Sequence, residues 1–251
     1  MLKIIDLTVE IPGKKIIDKI SFTIQEGDWL MIIGPNGAGK TTITNALAQS
    51  LESTGKILYK GKNLRNIKAK ERAKIIGVLM QNHILTYPFT VSEVVELGLY
   101  AQKMDFITGI NDEENKRVNN ALEITDMKEK KDQSVMTLSG GELQRTFLSQ
   151  LLVQNPKIMI LDEPTNHLDI SRQESIFNLV INWIRKGDRA VISVVHDLRL
   201  ARMYGNKALL LKEGKVFDFG NIEKVMSSEN LKKVYGIDVY LWQKRLNENW
   251  I

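Results

Sequence analysis

The stretch GPNGAGKTT, residues 34–42, constrains the fold of this chain more than any other part of the sequence. It matches the pattern G-x-x-x-x-G-K-[ST] without a mismatch. The apolar run WLMIIG leads into it and the helix-like run TTITNALAQ leads out of it. A glycine-rich loop between a strand and a helix turns successive backbone amides, and the positive end of the helix dipole, toward one point. The pattern therefore predicts a loop that binds polyphosphate.

Each residue type in this loop suits nucleotide binding. Lys40 is expected to reach the β- and γ-phosphates, and the Thr41 hydroxyl is expected to ligate Mg²⁺. Thr42 adds a second hydroxyl nearby. The remaining residues of the predicted phosphate-binding loop are Gly34, Pro35, Asn36, Gly37, Ala38 and Gly39.

The order of apolar runs along the chain predicts an α/β fold. Short β-rich runs fill residues 2–33, with turn signals at Pro12-Gly13 and Glu26-Gly27. The middle of the chain has helical periodicity, and strands then alternate with helices again. Alternation of this kind is typical of a parallel sheet with covered faces. We expect an α/β core of residues 1–81 and 155–251, with an inserted helical lobe of residues 82–154.

Composition excludes several classes of protein. The 251 residues contain no cysteine, which rules out disulfides, thiolate nucleophiles and thiolate metal sites and suggests a cytosolic place. No apolar run approaches the roughly 18 residues of a membrane span, and early charges argue against a signal peptide. The net charge of +5 fits an anionic ligand or a membrane surface, but lysine-rich solubility explains it more simply.

Two carboxylates follow a buried strand in the stretch KIMILDEP. Asp162 and Glu163 emerge where this strand ends, which is where ligands lie in open α/β sheets. Asp162 is expected to hold Mg²⁺ directly or through water, and Glu163 is expected to activate the attacking water as general base. The alternative is that the acidic strand end merely caps a helix.

Two further polar residues follow apolar strands, Gln81 after IIGVLM and His196 after AVISVV. Either could be structural, or could donate to the γ-phosphate if the strand ends converge beside the predicted loop. The other histidines, His83 and His167, do not form a metal-ligand spacing with His196, so no zinc site is expected.

The stretch LSGGELQR, residues 138–145, begins a predicted helix with two adjacent glycines. Ser139 and Glu142 form a capping box, Ser-x-x-Glu, which satisfies two backbone amides reciprocally. Gly140 and Gly141 each weaken the first turn by roughly 1 kcal/mol relative to alanine. The helix then places an apolar face toward the core, formed by Leu143, Phe147, Leu148, Leu151 and Leu152. The charge run DMKEKKDQSV before it is most simply a solvated connection.

Taken together, these motifs resemble those of the ATP-binding cassette family, the ATPase subunits of ABC transporters. GPNGAGKTT resembles Walker A, Gln81 the Q-loop and LSGGE the signature. IMILDEP resembles Walker B, NHLD (166–169) the D-loop and VVHDL the switch histidine. The order and spacing agree over nearly the whole chain, and LSGGELQR is the motif most specific to the family. The resemblance implies a P-loop NTPase core with an N-terminal antiparallel β subdomain, and an enzyme that hydrolyses ATP with Mg²⁺.

The resemblance also implies partners. Two copies pair head to tail on ATP, and each ATP lies between the Walker A of one copy and the LSGGE of the other. Gly140 and Gly141 then let a helix N-terminus approach the γ-phosphate closely. Gln81, besides donating, would contact Mg²⁺, and Asp169 of the D-loop would contribute to the nucleotide site. Ile11 stands where the family usually stacks an aromatic residue on adenine, which predicts weaker ATP binding and little discrimination against GTP.

Two stretches, PFTVSEVVELGLY (88–100) and LKKVYGIDV (231–239), resemble the importer ATPases for iron–siderophore, haem and cobalamin. The usual Gly-Arg-x-Pro-like pattern is replaced by Gly98-Leu99-Tyr100-Ala101, so the sequence does not name the cargo. An importer ATPase would work at the cytoplasmic face of the membrane, with a permease and, indirectly, a substrate-binding protein. The alternatives are a soluble cassette ATPase acting on nucleic acid, ribosomes or cluster assembly, and a non-catalytic nucleotide-binding module. One cassette without sustained heptads, and an intact Glu163 and His196, favour the importer, for which no nucleic-acid partner is expected.

Overall fold

The computed structural model describes residues 1–81, 87–102, 109–166 and 168–248. The chain divides into two compact units, one of Met1–Arg65 with Ile192–Ile251 and one of Asn66–Val191. The predicted lobe, residues 82–154, falls within the second unit, and its limits stay a prediction. His83 and His167 lie outside the described residues.

The first unit begins with an antiparallel sheet of four strands, which are β1 (Leu2–Ile11), β2 (Lys14–Ile24), β4 (Thr54–Tyr59) and β5 (Lys62–Asn63). Their order in the sheet is β2-β1-β4-β5. Apolar residues alternate with exposed ones along β1 and β2, so one face of the sheet is buried. Gly13 makes the turn between these strands with φ of 79°. The predicted N-terminal antiparallel subdomain is confirmed.

The first unit also holds the strand that leads to the predicted phosphate-binding loop. Every residue of β3 (Trp29–Ile33) is buried, and β3 pairs in parallel with β9 (Lys207–Lys212). β9 and β10 (Lys215–Asn221) form the antiparallel hairpin that KALLLKEGKVFDFG predicts. The helices of this unit are α1 (Lys40–Ala48), α7 (Leu198–Tyr204), α8 (Ile222–Val225), α9 (Ser228–Tyr235) and α10 (Val239–Glu248).

The second unit contains two parallel strands, β6 (Ile76–Leu79) and β7 (Ile158–Asp162), and all of β7 is buried. α2 (Ala69–Ile75) precedes β6, and α6 (Ile170–Ile184) follows β7. The chain passes from the second unit to the first within β8 (Ala190–Val194), which is also buried. A mixed α/β fold with parallel strands and helices is thus confirmed.

The helical part of the second unit has a core of its own. It is built from α3 (Val91–Glu96), a 3₁₀ turn (Leu97–Ala101), α4 (Asp112–Ile124) and α5 (Gly140–Gln154). Leu143, Phe147 and Leu152 of the predicted apolar face of α5 pack partly buried against this core. Leu148 and Leu151 of the same face are fully buried. Thr146 and Ser149 are buried as well, so the buried surface of α5 is wider than its leucine pattern indicates.

Two segments differ from the expectation. The sequence AKERAKI forms α2, although the pattern indicates only a strand starting at Ile75. None of the residues of α2 is buried, so this helix leaves no hydrophobic periodicity in the sequence. The charge run DMKEKKDQSV is more than a solvated connection, because Met127 is buried and Lys130 forms an ion pair with Glu142. In the described ranges, none of the helices has both the length and the apolar character that crossing a membrane demands.

Candidate active site

The phosphate loop, residues 34–42, connects buried β3 to α1 in the first unit. Gly34 has φ of 150°, and a Cβ atom there would come within 2.5 Å of the Leu211 carbonyl oxygen. Gly39 has φ of 97° at the N-cap of α1, and a Cβ atom there would overlap the Ile17 side chain. Glycine is therefore required at both positions for the loop to follow this path.

Lys40 is folded into this loop and is only 6% exposed. Its Nζ donates to the carbonyl oxygens of Gly34, at 2.9 Å, and Pro35, at 3.0 Å. No side-chain hydrogen bond caps the start of α1 within the described residues. The lysine charge and the positive end of the helix dipole therefore act at one place, which is favourable for binding an anion. Thr41 and Thr42, both half-buried, follow in the first turn of α1.

His196 and Ile11 also belong to the first unit. His196 follows β8 and is exposed, and it lines a cleft of about 410 Å³ together with Tyr235 and Trp242. Burial raises the pKa of Tyr235 to about 12. Ile11 ends β1 opposite Lys14, with 46% of its surface exposed, so it is accessible to a ligand.

The two predicted carboxylates lie at the end of β7 in the second unit. Asp162 is fully buried, and Glu163 is 7% exposed. Glu163 has a φ of 54°, in the left-handed region that residues with a side chain rarely adopt. Backbone strain of this kind costs about 1–3 kcal/mol and is found preferentially at functional sites.

Contacts from three residues of the same unit hold Glu163 in this conformation. Gln81 Nε2 donates to the Glu163 carboxylate at 2.7 Å, and Asn166 Nδ2 donates to the same oxygen, Oε2. The Glu163 carbonyl oxygen accepts from the Asn166 backbone amide at 3.2 Å and from Gln144 Nε2 at 3.1 Å. Both ends of this glutamate are thus fixed by hydrogen bonds.

The start of α5 has the predicted capping box. Ser139 Oγ accepts from the Glu142 amide at 3.4 Å, and Glu142 Oε2 accepts from the Ser139 amide at 2.9 Å. Lys130 pairs with Glu142, and this hydrogen bond, together with that from Ser139, lowers the pKa of Glu142 to about 2. Gly140 is exposed, and apart from its chain neighbours and the nearby backbone of α5, a Cβ atom there would meet no described atom within 4 Å. Packing within the described part of this chain therefore does not explain why position 140 is glycine.

Asp169, the last residue of the predicted D-loop, is the N-cap of α6. Its carboxylate accepts from the Arg172 amide and from Ser171 Oγ, each at 2.8 Å. These hydrogen bonds, that of Arg172 first, lower the pKa of Asp169. The carboxylate is therefore ionised near neutral pH and stabilises the start of α6.

The structure brings together Gln81 and Glu163, and it brings together Ser139 and Glu142, as the motifs suggest. Sequence reasoning missed Gln144 and Asn166 as partners of Glu163. Asn166 lies in the predicted D-loop, three residues after Glu163, and an asparagine in such a turn could have indicated a local contact. Gln144 gave no signal, because its contact with Glu163 spans 19 residues.

Comparison with known proteins gives matches over most of the chain. The model of the ABC transporter family matches residues 17–166. The hemin import ATP-binding protein HmuV of Mesorhizobium japonicum is 34% identical over 243 residues, which cover 94% of this chain and 91% of HmuV. The ABC transporter ATP-binding protein YvrA of Bacillus subtilis is 36% identical over 230 residues. That match covers 90% of this chain and 51% of YvrA, so the chain spans about half of that relative.

A solved structure gives the same result for the fold. The ATP-binding cassette MJ0796, in a dimeric post-hydrolysis state bound to ADP and Pi, superposes with a TM-score of 0.80. It is 27% identical, and the match covers 89% of this chain and 99% of MJ0796.

Proposed function

We propose that this chain, which belongs to the ABC transporter family, powers an importer of an iron chelate, haem or cobalamin through a separate membrane permease. As a member of this family, the chain binds ATP and is an ATPase. The observation that best supports a role in transport is the 2.7 Å hydrogen bond between Gln81 and Glu163. Gln81 lies two residues after the end of β6, and in the sequence it directly precedes the helical lobe. The bond therefore connects the proposed general base to the part of the chain that would contact a permease.

In this proposal the phosphate loop binds the polyphosphate of ATP. Lys40 exchanges the carbonyl oxygens of Gly34 and Pro35 for the β- and γ-phosphates, which are stronger acceptors because they are charged. The loop amides and the start of α1 surround the same phosphates. Ile11 covers one face of adenine by apolar contact.

The residues present fit a magnesium ion, because each one supplies oxygen. Asp162 offers a buried carboxylate and Thr41 a hydroxyl. The Gln81 amide donates through Nε2 to Glu163, so its oxygen is the atom suited to a cation. Mg²⁺ prefers oxygen ligands, and when bound it neutralises charge on the β- and γ-phosphates.

Glu163 is the proposed general base. Its carboxylate accepts hydrogen bonds from Gln81 and Asn166, and it would accept the proton of the attacking water. His196 would donate to the γ-phosphate and stabilise the charge that develops there. Gln81 would sense the γ-phosphate through Glu163 and move the lobe.

The LSGGE segment is proposed to act on the ATP of a second copy in a head-to-tail homodimer. Ser139, Gly140, Gly141 and Glu142 would present the start of α5 to that γ-phosphate, and Asp169 would approach from the D-loop. The open space at Gly140 supports this proposal, because a glycine without a reason inside its own chain suggests close approach by another molecule. The related cassette MJ0796 is dimeric.

The permease is proposed to bind beside the lobe. Tyr87 and Phe89 are 65% and 48% exposed, with ring centroids 6.0 Å apart. Phe89 also lines a groove of about 340 Å³ with Leu97, Tyr100 and Ile110. The family resemblance implies that the surface contacting the permease includes residues 83–89, and residues 83–86 lie outside the described residues. Through this contact the chain would lie at the cytoplasmic face of the membrane, and a substrate-binding protein would act on it only indirectly.

Isolation of the native chain from solubilised membranes tests this function. We expect a polytopic membrane protein to co-purify and to change the ATPase rate. Phe89→Ser should weaken the association, whereas Phe217→Ser, which alters an exposed aromatic residue of the first unit, should not. Co-purification of RNA or DNA without a membrane protein would contradict the importer and favour the soluble cassette ATPase.

A further inference from the structure

Glu163 is a residue whose backbone needs support. Its φ of 54° places it in the left-handed region, and its side chain is almost fully buried. A residue with a Cβ atom persists in this conformation only where its surroundings determine it. The orientation of the carboxylate depends on this backbone, because the side chain begins at the same Cα atom.

Within the described residues, donors of different origin bind the Glu163 carbonyl oxygen. The Asn166 amide, at 3.2 Å, belongs to the same turn and moves with it. Gln144 Nε2, at 3.1 Å, comes from α5, and so it fixes the turn relative to a different element of the same unit. Gln144 is half-buried, which strengthens the hydrogen bond relative to one in water.

Because Gln144 lies on α5, its contact with Glu163 also connects this glutamate to the start of that helix. α5 begins at the Ser139-Gly140-Gly141 segment, which is proposed to bind the ATP of the partner subunit. Gln144 lies five residues after Ser139, about 7.5 Å along the helix axis. One helix, α5, therefore connects two proposed functions. Its start contacts the ATP of the partner subunit, and Gln144 supports Glu163, the base that acts on the ATP bound by its own chain.

We propose that Gln144 is a positioning residue, which holds the general base Glu163 through its carbonyl oxygen and links it to the start of α5. This inference rests on the proposed role of Glu163. Binding of the partner's nucleotide at Ser139 fixes α5, and α5 then fixes the base through Gln144. Hydrolysis at one site is thereby made dependent on nucleotide at the other.

The test replaces the donor and keeps the shape. Gln144→Met has a similar length, favours helix and cannot donate a hydrogen bond. We expect kcat to fall about 10- to 100-fold, because a misplacement of 1 Å costs about 10²-fold in rate. The KM for ATP should change by less than about threefold, since the hydrogen bond from Gln144 goes to the carbonyl oxygen of Glu163, which is not a proposed phosphate ligand. The ATP-bound dimer should accumulate, as measured by size-exclusion chromatography in Mg²⁺ and ATP.

The same helix provides a matched control. Gln154 Nε2 donates to the carbonyl oxygens of Ala73, at 2.7 Å, and Ile76, at 3.1 Å. Gln154→Met therefore removes a glutamine donor from α5 without touching Glu163. It should lower the melting temperature and leave kcat unchanged.

Two outcomes would overturn the inference: an unchanged kcat in Gln144→Met, or an equal loss of kcat in Gln154→Met. If Gln144→Met does not fold, Gln144→Asn keeps the amide and shortens it by one carbon. We expect a smaller fall of kcat in Gln144→Asn, and an unchanged kcat would again overturn the inference. Absence of ATPase activity in the wild-type chain would instead contradict the proposed function.

Discussion

At the scale of single residues, Glu163 is the side chain on which hydrolysis depends in our proposal. Glu163→Gln keeps the shape and can still accept from Gln81, but it cannot take a proton from water. Turnover should fall about 10²–10⁴-fold while ATP binding is retained, and the ATP-bound dimer should accumulate. Turnover and dimer content are measured with Mg²⁺ present. Glu174→Gln, an exposed glutamate on α6, is the control and should be fully active. Wild-type turnover in Glu163→Gln would exclude Glu163 as the base.

The second prediction about a single residue concerns the effect of Ile11 on nucleotide affinity. It is 46% exposed and offers apolar area but no π-face to a purine. Base–aromatic stacking is worth roughly 1–3 kcal/mol, so Ile11→Tyr should tighten ATP binding by about tenfold. The wild type should bind GTP about as well as ATP, and Ile11→Leu should behave as the wild type. Titration with ATP and GTP in Mg²⁺ measures these affinities. An unchanged affinity in Ile11→Tyr, with a strong preference for adenine in the wild type, would show that another residue holds the base.

At the scale of elements, the first turn of α5 is stabilised by a charge from a different segment. Lys130 and Ser139 hold the pKa of Glu142 near 2, below its usual value of 4.5. A lowered carboxyl pKa stabilises the fold fully above about pH 4.5, and this stabilisation is lost as the pH falls toward 2. Lys130→Met should therefore lower the free energy of unfolding by about 1 kcal/mol or less at pH 7, and the difference should shrink below pH 4.5.

Denaturant unfolding of both proteins between pH 3 and 7 checks this prediction. The control is the same substitution in a Glu142→Gln background, where the difference should not vary with pH because residue 142 no longer titrates. A difference that stays constant with pH in the Glu142 background would show that Lys130 stabilises α5 by packing alone.

The sequence predicted those elements that are determined by residues close together in the chain. The phosphate loop follows from glycine and lysine at fixed spacing, and the start of α5 follows from Ser139 and Glu142, three residues apart. α2 could not be predicted from periodicity, since none of its residues is buried. The contact of Gln144 with Glu163 depends on how α5 packs beside the end of β7, and a single sequence contains no record of that packing.

At the scale of the whole molecule, the glycines at the starts of α1 and α5 differ in how closely the rest of the chain packs against them. Gly34 and Gly39 are required by the path of their own loop, where a Cβ atom would collide with Leu211 or Ile17. Gly140 has open space around its Cα atom. The fold of one chain therefore explains the glycines of the first start, whereas the open space at Gly140 suits the proposed approach of a second copy. On this contrast we base the proposal of a nucleotide site shared between two copies.

Mixing two inactive variants tests the shared site. Lys40→Ala removes the cation that faces the phosphates, and Ser139→Arg blocks the start of α5, so each homodimer lacks complete sites. A mixed dimer has one intact site, formed by the phosphate loop of Ser139→Arg and the LSGGE segment of Lys40→Ala. With independent sites, an equal mixture would recover about a quarter of the wild-type ATPase rate, because half of the dimers are mixed and each has one of two sites. The proposed coupling through Gln144 lowers this value, because the second site of a mixed dimer binds no nucleotide. We therefore expect a rate above that of either variant alone and below about a quarter of the wild-type rate. The rate is measured at fixed total protein as the ratio of variants is changed, and it should be greatest at equal amounts. Activity of Ser139→Arg alone, at dilutions where no dimer forms, would show that each chain hydrolyses ATP by itself.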